Sequence, residues 1–285
     1  MNKKTILPTM DLPFKKIFAS PEHKDVLIGL INDFYDLDIV DVQIGNPYDI
    51  KEFSNQDKGY FVTEVDIICT DSKNIKYTIE MQVQKLEYYI ERSVYYNFTK
   101  YISSYGVKSQ MRDPRSKYSS LYPTYSINIL DFTQFDDEAP IHKFSLYDLE
   151  NEMKLSTPEN IIIGYFELNK DAKRLNRNLK YWKDFFTTGN VSEGAPEYIK
   201  KAENIIDTSN LSKEEKKMID IAERIREDSI AREIYVKNEG VRNGKIEVAT
   251  NLLKRNQSIE LISEVTGLSL EELKKLKTEL ASHKL

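Results

Sequence analysis

Apolar residues in the first two-thirds of the chain follow two periods, one typical of helices and one typical of strands. Segments with apolar positions three and four residues apart predict helices, and short runs rich in β-branched and aromatic residues predict strands. This order of elements indicates an α/β domain in which helices flank a sheet. The predicted helices are 12–34, with a break near Pro21, 86–105 and 171–186, and the predicted strands are 60–69, 76–84, 123–132 and 160–168.

The pattern changes after about residue 190. The sequence VSEGAP opens a segment without regular apolar spacing, and nearly everything from residue 211 onward has helical spacing. The predicted C-terminal helices are 211–238, 242–255 and two shorter ones within 258–280. The expected organisation is a domain over 1–190, a linker over 191–210 and an all-helical region over 211–285.

The strands 60–69 and 76–84 are predicted to form a hairpin with one apolar face. Side chains alternate between the two faces of a strand, so each strand separates into two sets of residues. A slip of one residue would break up the apolar set, which favours one register. With the turn centred on Lys73, the opposed apolar pairs are Ile67–Ile79, Val65–Met81 and Cys69–Tyr77.

The opposite face of this hairpin carries acidic and amide side chains. Asp66 is predicted to lie opposite Glu80, and Glu64 opposite Gln82. Two carboxylates at cross-strand distance repel each other, and in a partly buried site a proton or a cation must relieve the repulsion. Mg²⁺ does so with one or two carboxylates, several waters and the oxygens of a substrate phosphate. A solvent-facing sheet edge with unrelated acids fits the same spacing.

Composition excludes several classes of protein. The formal net charge of −5 argues against a protein that coats nucleic acid. One cysteine cannot form an internal disulfide, and the three histidines fit no zinc-site spacing. No apolar run approaches the roughly 18 residues of a membrane span, and the N-terminus lacks the apolar stretch of a secretory signal. We therefore expect a cytoplasmic protein that does not associate with a membrane.

Two basic stretches stand out against the negative net charge. They span 100–117 and 170–183, and each contains a single acid. Taken alone, each fits the solvated face of a loop or a helix. Beside a site that acts on phosphodiesters they become candidates for contacts with a nucleic-acid backbone. The candidate residues are Lys108, Arg112, Arg174 and Arg177.

An acid on one strand followed by E-x-Q on the next resembles the PD-(D/E)XK nuclease superfamily. More specifically, the chain resembles the recombination-promoting nuclease and transposase (Rpn) family over residues 10–185. Each motif alone is weak, but their ordered combination is fairly specific. The matching pieces are D-x-x-F-K-x-x-F (Asp11, Phe14, Lys15, Phe18), EVDIICTD, IEMQVQ, R-x-x-x-Y (Arg92, Tyr96) and YPTYSINILDF.

The resemblance implies a restriction-endonuclease-like mixed sheet flanked by helices, with DNA as substrate and Mg²⁺ or Mn²⁺ as cofactor. It implies Asp66 and Glu80 as metal ligands, with the Met81 carbonyl as a third. Gln82 stands where the wider superfamily has lysine, and an amide can orient water or a phosphate oxygen but supplies no positive charge. A lysine from elsewhere, such as Lys76, or a second metal ion could make up that deficit.

Two further residues have competing interpretations. Asp11 either caps the N-terminus of a helix that has an early proline or reaches toward the metal as a catalytic acid. Arg92 either contacts phosphate or pairs with Glu64 or Glu87. The tyrosines near Arg92 are expected to be core aromatics more often than platforms for bases.

The sequence SIELISEVTGLSLEELKKLK has the helix-start and helix-stop signals typical of a helix-turn-helix, with Ser269 and Glu272 forming a capping box. In a DNA-binding unit the second of these helices would present Lys274 and Lys275 to the DNA. A helical bundle that serves packing or homodimerisation fits the same pattern.

These observations lead to one principal hypothesis, a Mg²⁺-dependent DNA endonuclease linked to recombination or mobile elements. The alternative is a non-catalytic module that binds DNA or a protein on a nuclease fold. An RNase H-like transposase would place its first acids on a different strand arrangement, without E-x-Q on the adjoining antiparallel strand.

Overall fold

A computed structural model of the chain describes residues 6–45, 48–52, 60–64 and 66–282. The chain forms two compact units, 1–216 and 217–285. The helices of the first unit are α1 (Asp11–Phe18), α2 (Lys24–Tyr35), α3 (Tyr89–Ile102), α4 (Arg177–Thr188) and α5 (Glu197–Ile206). Its strands are β1 (Val42–Ile44), β2 (Tyr48–Glu52), β3 (Tyr60–Glu64), β4 (Ile67–Asp71), β5 (Lys76–Gln82), β6 (Thr124–Leu130), β7 (Ile141–Ser145) and β8 (Ile161–Glu167).

The main sheet of the first unit has six strands in the order β1-β4-β5-β6-β8-β7. The three central strands β5, β6 and β8 are parallel, and the remaining neighbours are antiparallel. The predicted register of β4 and β5 is confirmed at Ile67–Ile79 and Cys69–Tyr77. The predicted pair at Val65 lies outside the described residues. The mixed α/β sheet flanked by helices is therefore as expected.

The two faces of this sheet differ in chemistry. Alternate residues of the central strands, such as Tyr77, Ile79 and Ile127, are buried in the main apolar core together with side chains from α1, α2, α4 and α5. The other face carries polar side chains on β5 and β6 and is covered by α3. The strict alternation of residue type along β5 and β6 produces this division, because neighbouring side chains point to opposite faces.

The prediction of one continuous strand over 60–69 is wrong. Its first half is β3, which pairs with β2 in a separate two-stranded sheet, so that Glu64 lies opposite Tyr48 and not opposite Gln82. Its second half is β4. The break falls between Glu64 and Ile67, and the Asp66 side chain accepts a hydrogen bond from the Met81 backbone N–H. Local β propensity does not reveal such a break.

The segment 191–210, expected to be a linker, contains the helix α5. Its buried residues Ile199, Ala202 and Ile206 belong to the main core, and this regular spacing supplies the face that packs there. Pro196 immediately before the helix, together with the turn-forming VSEGAP, obscures this short amphipathic stretch in the sequence. The expected break near Pro21 is present, since α1 and α2 are separate helices.

The C-terminal region is helical, as expected, but the first two predicted helices are one. Helix α6 (Lys213–Lys254) runs unbroken for 42 residues through Gly240 and Gly244. Each glycine costs a helix only about 1 kcal/mol, which its flanking residues can offset. The helices α7 (Ile259–Thr266) and α8 (Leu270–Ser282) follow, and their apolar residues share a small core with the end of α6. Among the described residues, no helix has both the length and the apolar character needed to cross a bilayer.

Candidate active site

Asp66 and Glu80 meet at the end of β5 where the polypeptide leaves the sheet. The Met81 backbone N–H donates a hydrogen bond of 2.8 Å to Oδ2 of Asp66, which places this carboxylate beside the residue that follows Glu80. The Glu80 side chain lies on the polar face beneath α3 and is only 6% exposed. The two acids are therefore close together, as predicted. Asp66 is held there by a side-chain hydrogen bond and not by strand pairing.

Burial and mutual repulsion make Glu80 difficult to ionise. The pKa of Glu80 is raised to about 7, chiefly by removal from water and in addition by the nearby Asp66 carboxylate. The positive charges of Arg92 and Lys100 oppose this shift. The pKa of Asp66 is also raised, chiefly by burial, while the Met81 N–H, Lys15 and Arg92 lower it. The site thus holds two acids whose charges only partly find compensation within the protein.

The start of α1 lies within electrostatic range of Asp66. Asp11 raises the pKa of Asp66, and Lys15 lowers it. The two α1 residues form an ion pair of 2.9 Å across one helical turn. Met10, not Asp11, occupies the N-cap position, so the capping interpretation of Asp11 is wrong. Lys15 had no predicted role, although the i,i+4 spacing of an acid and a lysine was a usable signal.

Two side chains near the acids keep buried polar atoms without hydrogen-bond partners in the described part of the chain. They are Gln82, through Oε1, and Arg92, through Nε. The Arg92 guanidinium also lies 5.2 Å from the centre of the Tyr96 ring. An unsatisfied buried polar atom costs free energy, so such atoms often mark a place for a ligand or water. The expected pairing of Arg92 with Glu87 is absent among the described ion pairs.

A polar layer beneath α3 fixes the surroundings of Glu80. Asn128 is the neighbour of Glu80 on β6, and it accepts a hydrogen bond of 3.1 Å from the Tyr89 hydroxyl. The Asn128 amide donates to the Gly164 carbonyl at 2.8 Å. On the next turn of α3, Ser93 bonds the Tyr165 hydroxyl. Sequence reasoning missed this layer, although the alternation of Thr124, Ser126 and Asn128 with apolar residues indicates a polar face.

Lys76 does not supply the missing positive charge. It lies at the opposite end of β5, where its Nζ donates to the Lys100 carbonyl at 3.1 Å and to the Ser103 hydroxyl at 2.8 Å. Four residues of extended strand separate it from Glu80, a distance of about 13 Å. Lys100, which is 2% exposed on the sheet-facing side of α3, is instead the lysine that acts electrostatically on Glu80.

The remaining cationic candidates either have partners in their own loops or helices or are exposed. Arg112 donates to the Ser119 and Leu121 carbonyls and lies over the Tyr122 ring, so it organises its own loop. Arg177 begins α4 and donates to the Tyr181 hydroxyl at 3.0 Å. Lys108 and Arg174 are exposed in short 3₁₀ turns, and Lys274 and Lys275 are exposed on α8 in the second unit.

The donor set fits a hard divalent cation. Carboxylate oxygens are the ligands that Mg²⁺ and Mn²⁺ prefer, and an ion between the two acids would offset both the burial of the Glu80 charge and its repulsion by Asp66. No group of three or more His, Cys, Asp and Glu side chains suited to a metal occurs among the described residues. Mg²⁺ commonly binds one or two carboxylates and fills its other positions with water and phosphate oxygens.

A mixed sheet flanked by helices, with an acid before one strand and E-x-Q ending its neighbour, defines a PD-(D/E)XK-like α/β fold. The chain belongs to the PD-(D/E)XK nuclease family transposases, because the model of that family matches residues 8–239. The resemblance stated from the sequence is thereby confirmed. No curated protein and no solved structure matched the chain.

The raised pKa of Glu80 predicts an unusual pH dependence of stability. With EDTA present, the folded state keeps the proton on Glu80 up to about pH 7, whereas the unfolded chain releases it near the ordinary value of 4.5. Since the folded state binds the proton more tightly, the contribution of Glu80 to stability is present at low pH and is lost as the pH rises through this window. In urea titrations, wild type is expected to lose up to a few kcal/mol relative to Glu80→Gln between these limits. Parallel curves would contradict the prediction.

Proposed function

We propose that this protein is a divalent-metal-dependent DNA endonuclease, with Mg²⁺ as the principal cofactor. One observation carries the proposal: Asp66 and Glu80 lie together, partly desolvated, at the end of β5. Membership of a nuclease family supports DNA as the substrate. The nuclease domain would correspond to the first compact unit rather than to 1–190, since α5 contributes to its core.

Asp66 and Glu80 would hold the metal, with the Met81 carbonyl as a third ligand. A bound Mg²⁺ lowers the pKa of coordinated water and neutralises charge on a scissile phosphate. Two protein carboxylates leave room for the substrate phosphate to complete the ligand set. The buried position of Glu80 strengthens its attraction to a dication, because electrostatic interactions grow as the local dielectric constant falls.

The protein's own side chains perform the remaining tasks. Arg92 has a buried N–H without a partner in the described chain, and it would donate to a phosphate oxygen beside the two acids. The unpaired amide oxygen of Gln82 would accept a hydrogen bond from the attacking water and orient it. Lys15 and Lys100 would supply the positive field that lysine provides in the wider superfamily. Asp11 would stay near the site as a further acid, paired with Lys15.

The competing proposal is a DNA- or protein-binding module that has lost catalysis. Gln82 favours it, because an amide can neither carry the positive charge of lysine nor exchange a proton. The link to recombination or mobile elements is likewise a proposal, supported by the transposase description of the family.

Plasmid cleavage distinguishes the two proposals. Purified protein is incubated with supercoiled plasmid and Mg²⁺, beside the variants Asp66→Ala and Glu80→Ala. The endonuclease proposal expects nicking by wild type only, with DNA binding retained in both variants. Absence of nicking by wild type, despite binding, would support the non-catalytic module. Equal nicking by all three proteins would remove these acids from the mechanism.

The C-terminal helices offer a separate prediction. The capping box is present, since Ser269 and Glu272 bond each other's backbone N–H groups, and Gly267 ends α7 with a positive φ of 68°. If α8 contacts a DNA backbone, Lys274→Gln with Lys275→Gln will reduce the slope of log affinity against log salt by up to about 0.9 per lost contact.

The matched control for the tail is Lys237→Gln on the exposed surface of α6. Filter binding with a duplex measures the slope of log affinity against log salt for the double variant and for the control. Identical slopes would show that α8 does not contact the DNA backbone. A changed subunit number in sedimentation would then assign the tail to dimerisation.

A further inference from the structure

The outer side of α3 carries a continuous stripe of exposed aromatic residues. Positions 88, 95, 102 and 91, 98, 105 recur every seven residues, so they form one side of the helix and its flanks. The exposed apolar members are Tyr88, Tyr95, Phe98, Ile102 and Tyr105, and Glu91 is the polar exception. We call this set the α3 stripe. Over the 14 residues of α3 it extends for about 20 Å at 1.5 Å per residue.

The N-terminal half of the α3 stripe lies close to Arg92 at the border of the candidate active site. The Tyr95 ring lies 6.0 Å from the Tyr96 ring, and the Arg92 guanidinium lies over Tyr96 at 5.2 Å. Arg92 in turn acts electrostatically on both Asp66 and Glu80. A ligand lying on the stripe would therefore pass beside Arg92, the residue that links this surface electrostatically to the two acids.

The other end of the stripe meets a basic loop. The Tyr118 ring, 70% exposed, packs against Tyr105 with a centroid distance of 5.2 Å. The neighbouring cations Arg115 and Lys117 are exposed, and Lys117 extends along Gly106. Asp113, the only acid of this loop, is paired with Arg115 at 2.9 Å. Negative charge on a ligand would be favoured here.

We propose that the α3 stripe and its basic loop bind a single-stranded segment of the DNA substrate, with unpaired bases stacked on the tyrosines. The inference rests on the proposed nuclease function and specifies the substrate that the site receives. Exposed aromatic rings in a row, beside cations that follow the backbone, are the features by which proteins bind unpaired nucleotides without sequence preference. A duplex hides its base faces and could use only the cations.

Charge and residue type favour this ligand over a second copy of the chain. A seven-residue repeat also describes paired helices, but their seams are built of Leu, Ile and Val. Here most positions are tyrosine or phenylalanine, Glu91 interrupts the row, and cations concentrate at one end.

Fluorescence anisotropy tests the proposal with the full-length protein in EDTA, so that cleavage cannot interfere. The probes are a labelled single strand of about 20 nucleotides, longer than the ~4–16 nucleotides of a typical binding site, and the duplex of the same sequence. The double variant Tyr95→Leu/Tyr105→Leu is expected to bind the single strand at least about tenfold more weakly, because two stacking surfaces for bases are lost. Tyr95→Phe/Tyr105→Phe, which keeps both rings, is expected to bind within about twofold of wild type.

Two further variants complete the design. Tyr147→Leu removes an exposed tyrosine from a different surface and is expected to leave binding unchanged. Arg115→Gln with Lys117→Gln is expected to lower the salt slope for the single strand by up to about 0.7 per cation. Equal binding of the single strand by wild type and the leucine variant would overturn the proposal. Loss of a dimer in sedimentation by the leucine variant would also overturn it and assign the stripe to a second copy.

The same samples separate this inference from the proposed function. Plasmid cleavage in Mg²⁺ by wild type and Glu80→Gln decides whether the acids catalyse, independently of anisotropy in EDTA. If cleavage requires Glu80 but single-strand binding does not depend on Tyr95 and Tyr105, the proposed nuclease function is supported and the role of the α3 stripe is contradicted. If binding depends on the two rings but wild type does not cleave, the role of the α3 stripe in binding is supported and the nuclease function is contradicted.

Discussion

Replacing Glu80 with glutamine is expected to lower the rate of Mg²⁺-dependent plasmid nicking by about 10²- to 10³-fold or more. The side chain is nearly isosteric, so the buried space beneath α3 stays filled. What is lost is a charge that can bind a dication beside Asp66. In the absence of metal, removing this charge also removes the repulsion between Glu80 and Asp66. The variant is therefore expected to be as stable as wild type or more stable. Loss of activity with gain of stability is a pattern that unfolding cannot produce.

The matched control is Glu150→Gln, the same chemical change at an exposed carboxylate in the loop between β7 and β8. It is expected to nick at the wild-type rate. Gel quantification of supercoiled and open-circular plasmid over time, with circular dichroism melting of each protein, supplies both readouts. A Glu80→Gln variant that nicks within a fewfold of wild type would refute the assigned role.

Replacing Glu167 with leucine is expected to destabilise the first unit by about 3–5 kcal/mol. This carboxylate ends β8 and is 0% exposed. One oxygen accepts the backbone N–H groups of Gln134 and Phe135 at 2.6 Å and 3.2 Å, and the other lies 2.7 Å from Lys170 Nζ. Leucine would leave two N–H donors unmatched and would deprive the buried lysine of its closest carboxylate.

For a unit of this size the loss corresponds to a decrease in Tm of about 6–20 °C, measured by differential scanning calorimetry. Glu167→Gln keeps an acceptor for both N–H groups and should lose less. The double variant Glu167→Leu/Lys170→Met should recover part of the loss, because the stranded ammonium is removed with its partner. Glu197→Ala, which breaks an exposed ion pair with Lys200, is expected to shift Tm by less than about 2 °C. A leucine variant as stable as wild type would show that this cluster does not support the fold.

The fold could be predicted where the spacing of apolar residues was regular. The central strands β5, β6 and β8 and the helices α3 and α4 follow directly from their periodicity. The edge strand β7, whose residues are mostly exposed, has no apolar face to reveal it. The long α6 was divided at Gly240, because a glycine resembles a helix end, whereas inside a helix it only lowers the stability of that helix.

The sequence predicted which residues form the candidate site but not how those residues contact one another. Alternation placed Glu80 and Gln82 on the polar side of β5, and the resemblance selected Asp66 as their partner. Sequence pairing could not show that Asp66 lies just before β4 and accepts the Met81 N–H with its side chain, because this depends on the path of the chain at the break. Nor could it show that Lys76 faces the end of α3 while Lys15 and Lys100 act on the acids, since tertiary packing alone decides that.

Isothermal titration calorimetry of Mg²⁺ into the protein at pH 8, with an uncleavable DNA analogue present, tests the shared metal role of Asp66 and Glu80 most directly. We expect saturable uptake by wild type that is abolished or greatly weakened in Glu80→Gln and Asp66→Asn, and unchanged in Glu150→Gln. Equal uptake by the two site variants and wild type, or no uptake by wild type even with DNA bound, would contradict a shared metal role for the two acids.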